Sequence, residues 1–383
     1  MIDSEFCILP WVSLYIRAEG NIYPCESVAW KGDSYLLGNI EDCSLEQAWN
    51  HRVMCELRKK VLQSGTCELS NIQKNSCMYL INHSLYAEAY KNIANTHPDG
   101  TAEFTLQALF LERSNMCNLR CIYCCATSSS IWEKESDVKI KKISDADYDK
   151  KLLPYLNKLK EIFLSGGEPV INPYNYKILT YLQEYNPSVQ IGIATNLTYD
   201  INKYSKFFTA LSTFVNTRVF CSIDDEGDRF ENIRVNSKWS LVKKNLHILK
   251  QYNLKIYLNS VISILNAFYL KEFHKNLILD NILDVDSIRY ITLSGPESLC
   301  IQALSDNKKD ELRSCLLQYY AFLRGKEKNK QNIDVYANYK KPSDAIKQVI
   351  EFLYARTGSE AYLQNITKYV PDCILKTTFT KLF

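Results

Sequence analysis

Between about residues 105 and 295 the chain alternates short apolar runs with longer amphipathic stretches. Leu106 to Leu111, Ile162-Phe163-Leu164, Val189 to Ala194, Arg218 to Ile223, Lys255 to Ile262 and Ile288 to Leu293 are too short for helices and predict six strands. The stretches between them carry apolar residues at helical spacing. Asp149 to Lys160, with Leu152, Leu153, Leu156 and Leu159, predicts a helix that Pro154 bends or delays, and Lys238 to Gln251 predicts another. Six such β–α units imply an α/β fold: a parallel sheet with helices outside, curled into a partial (β/α)6 barrel. In parallel α/β architectures the site lies at the carboxyl ends of the strands.

The flanks differ. Trp11 to Tyr23 predicts a β-hairpin turning at Ala18-Glu19-Gly20-Asn21, where Gly20 supplies the backbone freedom of the turn. Ser44-Leu45-Glu46-Gln47 is a capping box opening a helix through about Leu62. Beyond Gly295-Pro296 the chain turns helical, with Asn307 to Leu323 and Ser343 to Tyr354 as main segments and Lys326 to Gln331 as a solvated connection. The expected units are residues 1–104, the barrel at 105–298 and a helical C-terminal region at 299–383.

Composition narrows the class. The formal charge of +3 is spread without a Lys/Arg block, which argues against a nucleic-acid surface. No apolar run is long enough to cross a bilayer, and Met1 to Glu5 lacks the start of a signal peptide, so the expected location is cytoplasmic. Fourteen cysteines then read as metal ligands, radical donors or buried thiols rather than disulfides. Cys43, Cys55, Cys315 and Cys373 match no ligand spacing and are expected to pack in cores.

The chemistry concentrates at Cys117, Cys121 and Cys124, spaced C-x3-C-x2-C directly after the first barrel strand. Three thiols so spaced can hold three irons of a cubane and leave the fourth open to a small molecule. Ser165-Gly166-Gly167-Glu168-Pro169, Thr195-Asn196 and Ser222-Ile223-Asp224 follow in order, each at the end of a predicted strand. On these motifs the chain resembles the radical S-adenosylmethionine (SAM) superfamily.

That resemblance implies a 4Fe-4S cluster on Cys117, Cys121 and Cys124, with SAM on its open iron. Tyr123 would lie beside the adenine. Gly166 and Gly167 would let the backbone approach the ligand with N–H groups turned toward it, Glu168 would accept from the SAM ammonium, and Pro169 would stiffen the turn. Asn196, Ser222 and Asp224 would serve the ribose and the methionine carboxylate, and Arg234 would pair with that carboxylate. Reductive cleavage of SAM would give a 5′-deoxyadenosyl radical that takes a hydrogen atom from a substrate.

A second cysteine set precedes the barrel. Cys7 stands before the hairpin and Cys25 at its end, while Cys67 and Cys77 follow the predicted helix. The run from Cys7 through Gly20 to Cys25, with Leu37-Gly38-Asn39-Ile40, Trp49 and Arg58, resembles SPASM and twitch auxiliary-cluster modules, here placed before the barrel. It implies an auxiliary 4Fe-4S cluster on Cys7, Cys25, Cys67 and Cys77. Ser70 stands where the family usually has a cysteine, so an open iron, zinc on the same thiolates, or no metal at all stay open as alternatives.

Three thiols fall near the expected site. Cys125 should point away from Cys124, and Cys221 should face the opposite side of its strand from Ser222. Cys300, after strand six, is a candidate hydrogen-atom donor at the barrel mouth, against the plainer reading of a packing residue. The resemblance favours modification of a ribosomally made peptide, by cross-linking, epimerisation or excision. The alternatives are a dehydrogenase or epimerase of a small metabolite such as a sugar or aminocyclitol, and a non-catalytic iron–sulfur redox sensor. Expected partners are the peptide, a separate leader-binding protein, and a flavodoxin- or ferredoxin-type electron donor.

Overall fold

The computed structural model describes residues 6–29, 32–65, 83–327, 341–356 and 365–382. Its strands are β1 (Ser13–Ile16), β2 (Asn21–Tyr23), β3 (Gly38–Asn39), β4 (Ala108–Glu112), β5 (Arg120–Cys121), β6 (Glu161–Ser165), β7 (Gln190–Thr195), β8 (Arg218–Ser222), β9 (Arg234–Val235), β10 (Lys255–Ile262) and β11 (Ile288–Thr292). One nine-stranded sheet runs in the order β11-β10-β8-β7-β6-β4-β1-β2-β3. The six predicted barrel strands, β4, β6, β7, β8, β10 and β11, are all present and parallel.

The sheet does not stop at the barrel. Strand β1 pairs in parallel with β4, with Ser13 opposite Ala108 and Ile16 opposite Leu111. Strands β2 and β3 then continue it antiparallel. All four residues of β1 are buried, as a strand covered on both faces requires. Gly20, at the hairpin turn, has φ +85°, and a Cβ there would lie 2.1 Å from Ile143 Cδ1, so the turn needs glycine for both conformation and space.

Alternation sorts the strands into two faces. Leu109, Leu111, Ile162, Leu164, Ile191, Ile193, Val219 and Cys221 pack toward the helices. Ala108, Phe110, Phe163, Phe220 and Tyr257 form the inner cluster. At the floor of that inner face, where β6 and β8 begin, the buried Glu161 and Arg218 pair directly. Above them Phe163 meets Phe220 with ring centroids 5.7 Å apart, and Phe220 stacks on Tyr257 at 5.1 Å. Gly192 makes room for this layer, since a Cβ there would lie 2.3 Å from the Phe163 ring.

Three expectations about helices need correction. The helix expected over Asp149 to Lys160 is Asp145–Leu156: Ser144 caps it by accepting from the Asp147 N–H, and Pro154 sits in its last turn. The capping box at Ser44 is present, but the helix it opens stops at Trp49 and a second runs Arg52–Ser64. Asn50 causes the break, because its side chain binds both backbone polar groups of Ala102 and accepts from Arg58. Past the long helix Asp306–Lys326, Glu327 is no solvated connector. Its side chain is 3% exposed and accepts from the N–H and hydroxyl of Ser343, fixing the start of helix Pro342–Leu353.

Candidate functional site

The loop after β4 is folded by its own polar side chains. Asn115 Nδ2 donates to Ala126 O at 2.9 Å, Ser129 Oγ to Leu119 O at 2.8 Å, and Trp132 Nε1 to Cys121 O at 2.9 Å. Within it β5 pairs antiparallel with β9, setting Cys121 opposite Arg234. This small ladder brings Arg234 to the cysteine loop. Its Nη1 lies 3.7 Å from Cys121 Sγ, and its Nε donates to Asp224 at 2.7 Å.

The carboxyl edge of the sheet holds a cleft of about 300 Å³. Cys117, Cys121, Tyr123, Cys124, Gly166, Gly167, Glu168, Asn196, Ser222 and Arg234 line it, so the three thiols and most of the predicted SAM contacts come together. Cys125 also lines it, with Sγ 3.1 Å from Thr127 Oγ1. Ser222 faces the cleft while Cys221 is buried in the core behind, as alternation requires.

Several placements differ from expectation. The N–H groups of Gly167 and Glu168 are used by the cysteine loop: Gly167 donates to Ser114 O at 3.0 Å and Glu168 to Met116 O at 2.7 Å. A Cβ on Gly167 would lie 2.1 Å from Met116 O, so these glycines are needed where two backbones meet. Asp224 is fully buried and outside the lining. It accepts from Tyr123 Oη, Arg234 Nε and the Val261 N–H, so it positions Tyr123 and Arg234 and does not face a ligand. Pro169 likewise lies behind the cleft, opening a buried 3-10 turn. Cys300 is not at the mouth: it is 2% exposed in the hydrophobic core, its Sγ 3.5 Å from Pro296 O, and burial pushes its thiol up to about 11.

Glu168 is buried against donors. Oε2 accepts from the Asn196 N–H at 2.6 Å, and Oε1 from Thr195 Oγ1 at 2.8 Å and the Val170 N–H at 3.2 Å. Burial outweighs these bonds and raises its carboxyl to about 7. Asn196 Nδ2 donates to Asn118 Oδ1 at 2.9 Å, tying the end of β7 to the cysteine loop.

Two charged cleft residues went unread in the sequence. Glu112 is the last residue of β4, and Glu26 comes from the short helix Glu26–Ala29 after the hairpin. The carboxyl-end rule already pointed at Glu112.

The donor set suits a cluster. Among the described residues no three or more His, Cys, Asp or Glu side chains converge as on a single ion. The three thiols instead line one cleft, as ligands to separate irons do. Burial pushes Cys117 up to about 12 and raises Cys121 and Cys124 as well, so these sulfurs become thiolates when iron displaces their protons. Of the second set, Cys7 and Cys25 join the same apolar cluster, and the Cys7 N–H donates to Gly65 O at 2.9 Å. Cys67 and Cys77 lie outside the described residues.

Comparison with known proteins agrees with this architecture. Residues 111–275 match the model of the radical SAM superfamily, and residues 7–78 match SPASM, an iron–sulfur cluster-binding domain. The chain thus carries a radical SAM domain at residues 111–275 and a SPASM module at residues 7–78. The cofactors of that pairing are SAM, its 4Fe-4S cluster and an auxiliary iron–sulfur cluster.

An uncharacterized protein of Methanocaldococcus jannaschii, MJ0907, is 30% identical over 212 residues, covering 54% of this chain and 66% of that protein. Native anSMEcpe with bound AdoMet is similar in fold, at 18% identity and TM-score 0.45, covering 58% of this chain and 62% of its own. Streptococcus suis SuiB bound to precursor peptide SuiA is also similar, at 15% identity and TM-score 0.44, covering 79% and 70%. The chain thus spans just under two thirds of the archaeal relative and of anSMEcpe. Among the described residues no helix is long and apolar enough to cross a membrane.

Proposed function

We propose that this radical SAM enzyme takes a hydrogen atom from a ribosomally made peptide. The observation that carries the reading is the single cleft in which the three loop thiols, the Gly166–Glu168 turn and Glu26 of the N-terminal module meet. When bound, the cluster and SAM supply a 5′-deoxyadenosyl radical. The chain's own residues fix what surrounds it. Glu168, held by three donors, presents a carboxylate to an ammonium. Arg234, anchored by Asp224, presents a guanidinium beside Cys121, and Tyr123 lines the cleft with its hydroxyl tied to Asp224.

The pairing of barrel with SPASM module supports a peptide, because that combination recurs among enzymes that modify peptide side chains or backbones. Cys7, Cys25, Cys67 and Cys77 are the proposed auxiliary ligands. A flavodoxin- or ferredoxin-type protein delivers the electron, and a separate protein presents the leader.

Replacing Cys117, Cys121 and Cys124 together with Ala is expected to abolish 5′-deoxyadenosine formation with dithionite. Anaerobically reconstituted wild type should hold about eight irons, as two cubanes require, and about four after loss of Cys7 and Cys25. Continued SAM cleavage by the triple variant would refute the site. Turnover of a sugar-like metabolite, with no precursor peptide accepted, would refute the substrate.

A further inference from the structure

Besides Glu168, the cleft is lined by two carboxylates, Glu112 and Glu26, that the expected SAM contacts do not include. Glu112 closes β4 at the carboxyl edge, and alternation places it on the inner face with Ala108 and Phe110. It is 4% exposed, lines the cleft, and its Oε2 has no hydrogen-bond partner among the described residues. A buried carboxylate oxygen left without a donor is costly in a folded chain.

The neighbouring charges do not balance it. Arg17 Nε stands 3.9 Å from Glu112 Oε2, an ion-pair separation too long for a hydrogen bond. The same guanidinium is shared with Glu19 at 3.6 Å and donates from Nη2 to Thr127 Oγ1 at 2.7 Å. Glu26, on the same cleft wall, adds a third carboxylate. Among the described residues, Arg17 is the cation beside Glu112, Glu19 and Glu26, and the Tyr15 hydroxyl beside Glu112 favours its ionised form but adds no charge. Beneath, Phe110 and Phe163, with ring centroids 6.2 Å apart, give the inner face an apolar floor.

We propose that Glu112 anchors a cationic group of the substrate, an alkylammonium or guanidinium. The proposal rests on the reading of this cleft as the active site and narrows it to substrates that present a lysine- or arginine-like cation. Such a group would supply the donor that Oε2 lacks and offset the surplus charge. Burial, the largest influence on Glu112, raises its carboxyl to about 7, so a cation that needs the ionised form binds better as pH rises through that value. The facing groups are Arg17 and the Tyr15 hydroxyl, which oppose this rise, and Glu26 and Glu19, which add to it.

The test uses the reconstituted holoenzyme with SAM bound and four probes: agmatine, n-butylamine, n-butanol and butyrate. Calorimetric titration should show the two cations binding at least about tenfold more tightly than the other two, a ratio expected of a charge-assisted hydrogen bond. Glu112→Gln should collapse that ratio, and Glu112→Asp, which keeps the charge, should retain a cation preference. Equal binding of all four probes, no saturable binding of either cation, or an unaltered preference in Glu112→Gln would overturn the proposal. So would a loss of SAM affinity in Glu112→Gln as large as the loss of cation affinity, which would assign Glu112 to the SAM site. Failure of the underlying reading shows separately, as a wild type that forms no 5′-deoxyadenosine, and it would take this proposal with it.

Discussion

The two ends of the barrel's inner face each hold a glutamate near an arginine, but in opposite circumstances. At the floor, Glu161 and Arg218 are fully buried and in direct contact, sealed beneath the Phe163, Phe220 and Tyr257 rings. At the mouth, Glu112 and Arg17 are separated by 3.9 Å, and the carboxylate borders a cleft. Burial raises the carboxyl of both glutamates, and the arginine opposes the rise in both. The difference is closure. The floor pair meets directly and is sealed from the cleft, so it is structural, whereas the mouth pair stands apart and borders the cleft.

The largest expected effect lies at the floor. Arg218→Met leaves Glu161 buried without its cation, and breaking a buried pair from one side costs about 3–5 kcal/mol. Thermal and denaturant unfolding of the reconstituted variant should show that loss. If Arg218→Met unfolds like wild type, the floor is not the closed pair described, and the comparison loses its fixed point.

The second prediction concerns pH at the mouth. The folded carboxyl of Glu112 titrates at about 7, above the roughly 4.3 of an unfolded glutamate. The native state therefore holds its proton more tightly. Its stabilising contribution is complete below the unfolded value and is lost as pH climbs through about 7. Glu112→Gln removes this slope, which is at most about 1.4 kcal/mol per pH unit. Relative to wild type, the variant should gain stability between pH 5 and pH 8, read as a growing difference in unfolding midpoint. Glu168 and Asp225, raised by burial to about 7 and about 6, titrate in both proteins and cancel. A difference constant with pH would mean that the surroundings of Glu112 already balance its burial.

Much of this was legible in the chain, and the parts that were not share a cause. The barrel strands are runs whose period decides their state locally, and β10 has the predicted ends, Lys255 and Ile262. The cysteine loop was legible because ligand spacing is a property of the chain itself. Features set by a distant partner were not legible. Asn50 ends a helix because it finds the backbone of Ala102. β1 joins the barrel because β4 offers a parallel edge, and Arg234 reaches Cys121 through the β5–β9 ladder. Gly167 was rightly marked as a close-approach residue, but what approaches is Met116 O of the same chain. Cys300 was placed by its nearness to β11 in sequence, and hydrophobic packing drew it into the core instead.

The smallest effect is expected at Thr127, where the contrast between floor and mouth is sharpest. No hydroxyl needs to hold Arg218 off Glu161, and the two meet. Arg17 is instead held by Thr127, whose Oγ1 accepts from Nη2 at 2.7 Å while the guanidinium stays out of hydrogen-bond range of Glu112. Thr127→Val keeps the side-chain shape and removes that acceptor. Thr127 is half-buried, so water can take over part of the lost bond and the cost to stability should be only about 1 kcal/mol. Without the Thr127 hydroxyl, the guanidinium can shift toward Glu112 and compete with an incoming cation. Affinity for agmatine should fall by roughly fivefold or less, the factor that goes with about 1 kcal/mol, and affinity for n-butanol should not follow it. An agmatine affinity that holds or rises would mean that Thr127 does not keep the mouth pair apart. The gap between Arg17 and Glu112 would then be set by the β1–β4 backbone itself.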